Sequence, residues 1–193
     1  VDIIFGGGGE FWSTDVISIL EKNNGQYITK LDEPFHPNKR IVGLFSKGPL
    51  SAFYDERSPS TKDMAKKAIQ ILSKNSNGFF LMIEESQIEF AGHLNNADYI
   101  NSEMHSLNEV VDMCLDYQRE HQNILVILTS THECGGLSIY DSKDGNIDVR
   151  FSSDNYSANF VPIWATGPGA SFFNGMLDNT MIGKQLIRYI KKQ

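Results

Sequence analysis

The chain has 193 residues, 40% of them hydrophobic and 21% charged, which is enough apolar material for one sizeable core and excludes a disordered tail. Asp and Glu outnumber Lys and Arg by 24 to 17 and no long basic run occurs, so the electrostatic footprint of a nucleic-acid binder is absent. No apolar run approaches the ~20 residues of a membrane span, and the opening Val1-Asp2-Ile3-Ile4-Phe5 lacks the basic start and long apolar core of a signal peptide.

Residues 2–5 form a short apolar run ending in Gly6-Gly7-Gly8-Gly9, and helical spacing follows from Ser13 or Thr14 towards Gly25. Strands are predicted near Tyr27–Leu31 and Ile41–Phe45, separated by a loop through Pro34 and Pro37. The opening therefore reads βαββ. From Ser60, with Asp63 three residues on as an approximate capping box, Met64, Ala68, Ile69, Ile71 and Leu72 recur at helical spacing up to Asn75.

Gly78-Phe79-Phe80-Leu81-Met82-Ile83 is a continuous apolar run closed by two carboxylates, which predicts a central strand buried on both faces. Between Asn96 and Glu120 the stripe Ile100, Met104, Leu107, Val111 and Leu115 predicts an amphipathic helix, and 124–129 a second buried strand. Strand, helix, strand implies a parallel pair, which brings Glu84 and His132 to the same sheet edge. A small hairpin is expected over 137–140 and 148–151 around Asp144-Gly145, then a strand at Pro162–Ala165 and a closing helix over 179–190. These elements form one α/β domain with a mostly parallel sheet.

Three places carry candidate chemistry. The four glycines between strand and helix either cradle a phosphate or form a plain tight turn; the spacing fails the dinucleotide fingerprint, since Phe11 and Trp12 stand where its third glycine belongs. Glu84, Glu85, Glu89 and His93 crowd carboxylates and an imidazole past the run 78–83, the donor types that zinc and magnesium take, or else a solvated acidic loop. Thr129-Ser130-Thr131-His132-Glu133 sets hydroxyls beside a histidine, but no nucleophile elbow is present and a Ser130–His132 triad is rejected. Cys114 and Cys134 stand in no Cys-x-x-Cys spacing and read as small buried hydrophobes.

The residues from Gly78 to Glu89 followed by Gly92-His93 resemble the alkaline phosphatase motif G-F-F-L-M-V-E-G-S-Q-I-D, then H. Thr129 to Gly136 is similar to that family's T-A-D-H-E-T-G-G, and Val161 to Ala170 to its V-P-V-F-A-Y-G-P-G-A. The flanks fit as well, Val1 to Gly8 resembling V-D-V-I-L-G-G-G. The resemblance implies that residues 1–193 are a single domain like the carboxy-terminal half of an alkaline phosphatase, a three-layer α/β/α fold with a mostly parallel central sheet. It implies a phosphomonoesterase with two zinc ions and one magnesium ion, in which a serine attacks phosphorus and the metals clamp the reacting oxygens.

Carried over residue by residue, Glu84 matches the magnesium-ligating glutamate and His93 an imidazole on the first zinc. Glu89 stands at a zinc-ligating aspartate, one methylene longer. His132 matches a histidine of the second zinc, but Thr131 replaces the aspartate before it, a neutral hydroxyl for an anion. Tyr156 takes the position of the histidine that completes the first zinc, and a neutral phenol is a weak zinc ligand. No counterpart of the nucleophilic serine is found; Asp141-Ser142 is no substitute. Little or no phosphoryl transfer is expected from this chain alone. The alternative is a non-catalytic binding or structural module on the same scaffold. Implied partners are a phosphomonoester substrate, if active, and a second copy or a missing amino-terminal half. The implied location is periplasmic or secreted. Asn155-Tyr156-Ser157 is a glycosylation sequon, meaningful only in a eukaryotic secreted protein.

Overall fold

The computed structural model describes residues 1–36, 38–142, 145 and 147–191. Pro37 and Asp144, placed by the sequence reading in a loop and a turn, lie outside them. The chain divides into two compact units, Val1–Glu84 and Glu85–Gln193.

In the first unit β1 (Ile3–Gly6), β2 (Gly25–Ile28) and β3 (Arg40–Leu44) form a parallel sheet in the order β1-β3-β2. Ile41 lies opposite both Ile3 and Gln26, so β3 is the central strand. Its residues 41–44 are all buried, as a parallel strand flanked on both sides requires. Helix α1 (Thr14–Lys22) starts where the Ser13 hydroxyl accepts the Val16 N–H at 3.4 Å, and packs on β2. Helix α2 (Thr61–Leu72) starts at Ser60, whose hydroxyl accepts the Asp63 N–H at 3.1 Å and donates to the Asp63 carboxylate at 2.7 Å. It buries Met64, Ala65, Ala68 and Ile69, and each larger apolar side chain so covered contributes about 1.5–3 kcal/mol. Arg57, also buried, donates to the Ser51 carbonyl and the Thr61 hydroxyl, so these N–H groups are hydrogen-bonded locally.

The run 78–83 is a correction. It forms no strand, and Phe80 and Met82 are 55% and 73% exposed. An apolar run becomes a strand only by pairing, and among the described residues no ladder includes it. The central position belongs instead to β3.

The second unit is organised around α4 (Ala97–Glu120), opened by the Asn96 side chain accepting the Tyr99 N–H at 3.0 Å. Its buried stripe is Tyr99, Glu103, Ser106, Val110 and Met113, one or two positions before the apolar stripe read from sequence; Met104 is exposed. Hydrogen bonds explain the rotation: Ser106 donates to Glu85 at 2.6 Å and the Tyr99 hydroxyl bonds Gln87, tying this polar face to the segment before α4.

A short helix, α3 (Gln87–His93), packs on α4 with Ala91 fully covered. The sequence reading had only a loop there. Strand β4 (Val126–Thr129) pairs antiparallel with β9 (Ile163–Thr166), so the parallel partner expected for 124–129 is not formed. Two-residue strands β5 (Glu133–Cys134) and β8 (Tyr156–Ser157) pair antiparallel, as do β6 (Ser138–Asp141) and β7 (Ile147–Arg150), the expected hairpin. Helix α5 (Asn179–Lys191) closes the unit.

Candidate metal-ligand cluster

In the glycine loop of the first unit three successive N–H groups are already engaged by backbone. The N–H groups of Gly8, Gly9 and Glu10 donate to the carbonyls of Gly48, Ser46 and Lys47 at 2.7, 2.9 and 2.9 Å. A Cβ on Gly7 would stand 2.4 Å from the Gly48 carbonyl oxygen and 2.6 Å from the Ser46 hydroxyl. These glycines let two backbone segments touch, which favours the tight turn over the cradle.

The second unit gathers three of the four predicted ligands. Glu89 and His93 lie one turn apart on α3, on one face. His132 follows β4 and leads into β5. The spacer between helix and strand is Gly92, where a Cβ would stand 3.1 Å from the Cys134 carbonyl oxygen, so α3 lies directly on β5. Strand β8 then sets Tyr156 opposite Cys134 in the β5–β8 register. Thus helix, loop and two minimal strands deliver four side chains to one point. Glu84, the fourth predicted ligand, is exposed and belongs to the first unit; Thr131 is exposed.

The Glu89 carboxylate is the hub. His93 Nε2 lies 3.5 Å from its Oε1 and His132 Nε2 3.7 Å from its Oε2. His93 Nδ1 faces the Asp154 carbonyl oxygen at 2.6 Å; a carbonyl only accepts, so Nδ1 carries a proton and donates it there. His132 Nδ1 is buried without a hydrogen-bond partner. Tyr156 completes the group: its hydroxyl donates to Glu89 Oε1 at 2.5 Å. Its ring stands edge-on to both imidazoles, with centroids 5.1 Å from His93 and 4.3 Å from His132.

The Tyr156 hydrogen bond is the main cause that holds the Glu89 carboxyl below the usual carboxylate range, burial opposing it and the two imidazoles assisting. The same bond raises the Tyr156 phenol above its ordinary value. Burial, helped by Glu89, raises the Cys134 thiol, which therefore stays neutral beside the cluster. Cys114 and Cys134 are both free thiols. Ser130 donates to the His132 carbonyl oxygen at 2.7 Å and not to its ring, in keeping with the rejected triad.

As donor types, one carboxylate and two imidazole nitrogens suit zinc. The set present nevertheless fails the two-metal requirement. Tyr156 spends its hydroxyl on Glu89 itself, Thr131 offers only a neutral oxygen, and among the described residues no group of three or more His, Cys, Asp or Glu side chains has the geometry to hold an ion. Sequence reasoning named Tyr156 as a poor ligand but missed its bond to Glu89. The two residues stand 67 positions apart and meet only through a two-residue ladder.

The sequence model described as alkaline phosphatase matches residues 13–147. The chain belongs to the alkaline phosphatase family. It is 33% identical over 145 residues to alkaline phosphatase 3 of Bacillus subtilis strain 168, covering 72% of this chain and 31% of that relative. It is 34% identical over 128 residues to the repressible alkaline phosphatase of Saccharomyces cerevisiae, covering 61% of this chain and 21% of that one. It therefore spans about a third or less of those curated relatives. Among solved structures, the alkaline phosphatase of the Antarctic bacterium TAB5 superposes over 100% of this chain and 61% of its own with a TM-score of 0.87, at 29% identity. A Shewanella alkaline phosphatase gives 0.88 at 21% identity, a likeness of fold. These matches establish the alkaline-phosphatase-like α/β fold. A variant of the TAB5 enzyme was solved with magnesium bound. A Bombyx mori relative is named a membrane-bound alkaline phosphatase; no helix among the described residues here is long and apolar enough to cross a membrane.

Proposed function

We propose that this chain is the ligand-bearing, carboxy-terminal part of an alkaline-phosphatase-like phosphomonoester hydrolase whose metal site has degenerated, with little or no hydrolysis from this chain alone. One observation carries the reading: the family's ligand positions Glu89, His93 and His132 still converge, while Tyr156 bonds to Glu89 in place of a third nitrogen. A zinc and magnesium site of the family kind supplies Lewis-acid clamping of the entering and leaving oxygens. The residues here retain the means to present one carboxylate and two imidazoles, and lack a recognisable attacking hydroxyl. A non-catalytic module on the same scaffold is the second reading, favoured by the same Tyr156 bond.

Hydrolysis of p-nitrophenyl phosphate with zinc and magnesium present tests this. The reading predicts no turnover above the metal-only blank; turnover that disappears in His93→Ala overturns it. The exposed Trp164 of β9 and the two-strand sheet it belongs to support association with a second copy or with further family sequence. Light scattering at micromolar concentration should give a two-chain mass, and a monodisperse monomer counts against the dimer. By family likeness the location is periplasmic or secreted.

A further inference from the structure

We propose that a proton shared by Tyr156 and Glu89 stands where the family carries a metal ion, and that this phenol is what keeps the cluster free of zinc. The inference rests on the family reading for one thing, namely that position 156 is where a third ligand belongs.

The distances separate the two kinds of neighbour. Donors bound to one zinc ion at about 2.0–2.2 Å in a tetrahedron lie roughly 3.3–3.6 Å from each other. His93 Nε2 meets that spacing, at 3.5 Å from Glu89 Oε1, while His132 Nε2 lies just beyond it, at 3.7 Å from Oε2. The Tyr156 oxygen does not. At 2.5 Å from Glu89 Oε1 it is too close to share an ion with that oxygen and is at the distance of a strong hydrogen bond to a carboxylate. His93 is thus spaced to share a cation with Glu89, whereas Tyr156 is spaced for a proton.

The surroundings hold this arrangement. His93 is oriented by the Asp154 carbonyl, the kind of outer contact that fixes ligand histidines. The Tyr156 backbone is fixed opposite Cys134, and its ring covers both imidazole edges. A histidine at 156 reaches less far, its Nε2 ending roughly two bonds short of the phenol oxygen. The hydrogen bond to Glu89 then cannot form, and the gap left is of the size an ion bridges. Since Thr131 would remain, one ion and not two is the expected gain.

The test uses the full chain in three forms: unmodified, Tyr156→Phe and Tyr156→His. Each is titrated with cobalt(II), read by its visible absorption, and dialysed against zinc, with bound metal measured by plasma mass spectrometry. The unmodified chain should retain almost none. Tyr156→His should hold about one ion per chain with an affinity at least about tenfold higher, the scale on which ligand-shell changes act. Tyr156→Phe, which frees Glu89 without adding a donor, should fall between them. Adding Glu89→Gln to Tyr156→His should abolish the gain. Thermal melting shows whether each variant is folded, and Tyr156, 55% exposed, is a mild place to substitute.

Zinc on the unmodified chain that Glu89→Gln removes overturns the proposal. So does a folded Tyr156→His that binds no more metal than its parent, or a folded Tyr156→Phe that shows no gain over the parent. None of these outcomes depends on phosphatase activity, so the proposal and the functional reading fail separately.

Discussion

Two regions of this chain look from sequence like places where a ligand is held, and in each the protein itself engages part of the donor set. In the glycine loop the partner is backbone: three N–H groups meet three carbonyls of residues 46–48, and a missing Cβ makes the approach possible. In the Glu89 cluster the partner is a single exposed side chain. A donor set closed by backbone is part of the fold and cannot be opened without unfolding it. A donor set closed by one phenol is separable from the fold, and one substitution tests it.

The largest effect should come from forcing the first closure. Gly7→Ala sets a methyl 2.4 Å from the Gly48 oxygen and 2.9 Å from the Leu50 nitrogen, both backbone atoms with little freedom to give way. Urea unfolding should show a loss of about 1–3 kcal/mol; an unchanged midpoint would mean the two segments are not in contact. Next is Ser60→Ala, which removes the cap of α2 within the same unit and should lower stability by about 1 kcal/mol. It calibrates how far the first unit tolerates the loss of one side-chain bond.

The second closure should be far more forgiving. Gly92→Ala brings a methyl within 3.1–3.2 Å of Cys134, crowding that the better helix propensity of alanine offsets, so the net change should stay within about 1 kcal/mol. A loss several times larger would show that α3 and β5 are clamped as tightly as the glycine loop. Smallest of all, inorganic phosphate titrated to millimolar concentration should leave the amide resonances of Gly8, Gly9 and Glu10 in place. Shifts confined to those three would revive the cradle.

Much of the fold was legible because it is local. The Ser13 and Ser60 caps, the helical spacing of α2 and α4 and the apolar run of β3 all state their structure within a few residues. The failures share one cause, which is that their determinants lie elsewhere in the chain. Residues 78–83 have the composition of a buried strand, but strand formation is decided by a partner that the run does not contain. Helix α3 is seven residues long, starts at Ser86 without a side-chain cap and contains Gly92, so nothing local announces it. The α4 stripe came out one or two positions off because Tyr99 and Ser106 are fixed by Gln87 and Glu85, side chains outside the helix.

The site followed the same rule. Glu89, His93 and His132 were identified by residue type and motif, and the structure brings them together. Their separation into helix and strand end was not readable, and neither was the role of Tyr156. A phenol at a ligand position reads as a missing donor. Only the β5–β8 register and the hydrogen bond show that it is also a substitute partner for Glu89.

The most direct test of the account is a crystal structure of the unmodified chain grown in zinc, with data collected across the zinc absorption edge. The account predicts a hydrogen bond between Tyr156 and Glu89 Oε1 and no anomalous peak among Glu89, His93 and His132. A zinc peak bound to these three, with the tyrosine turned away, would contradict it.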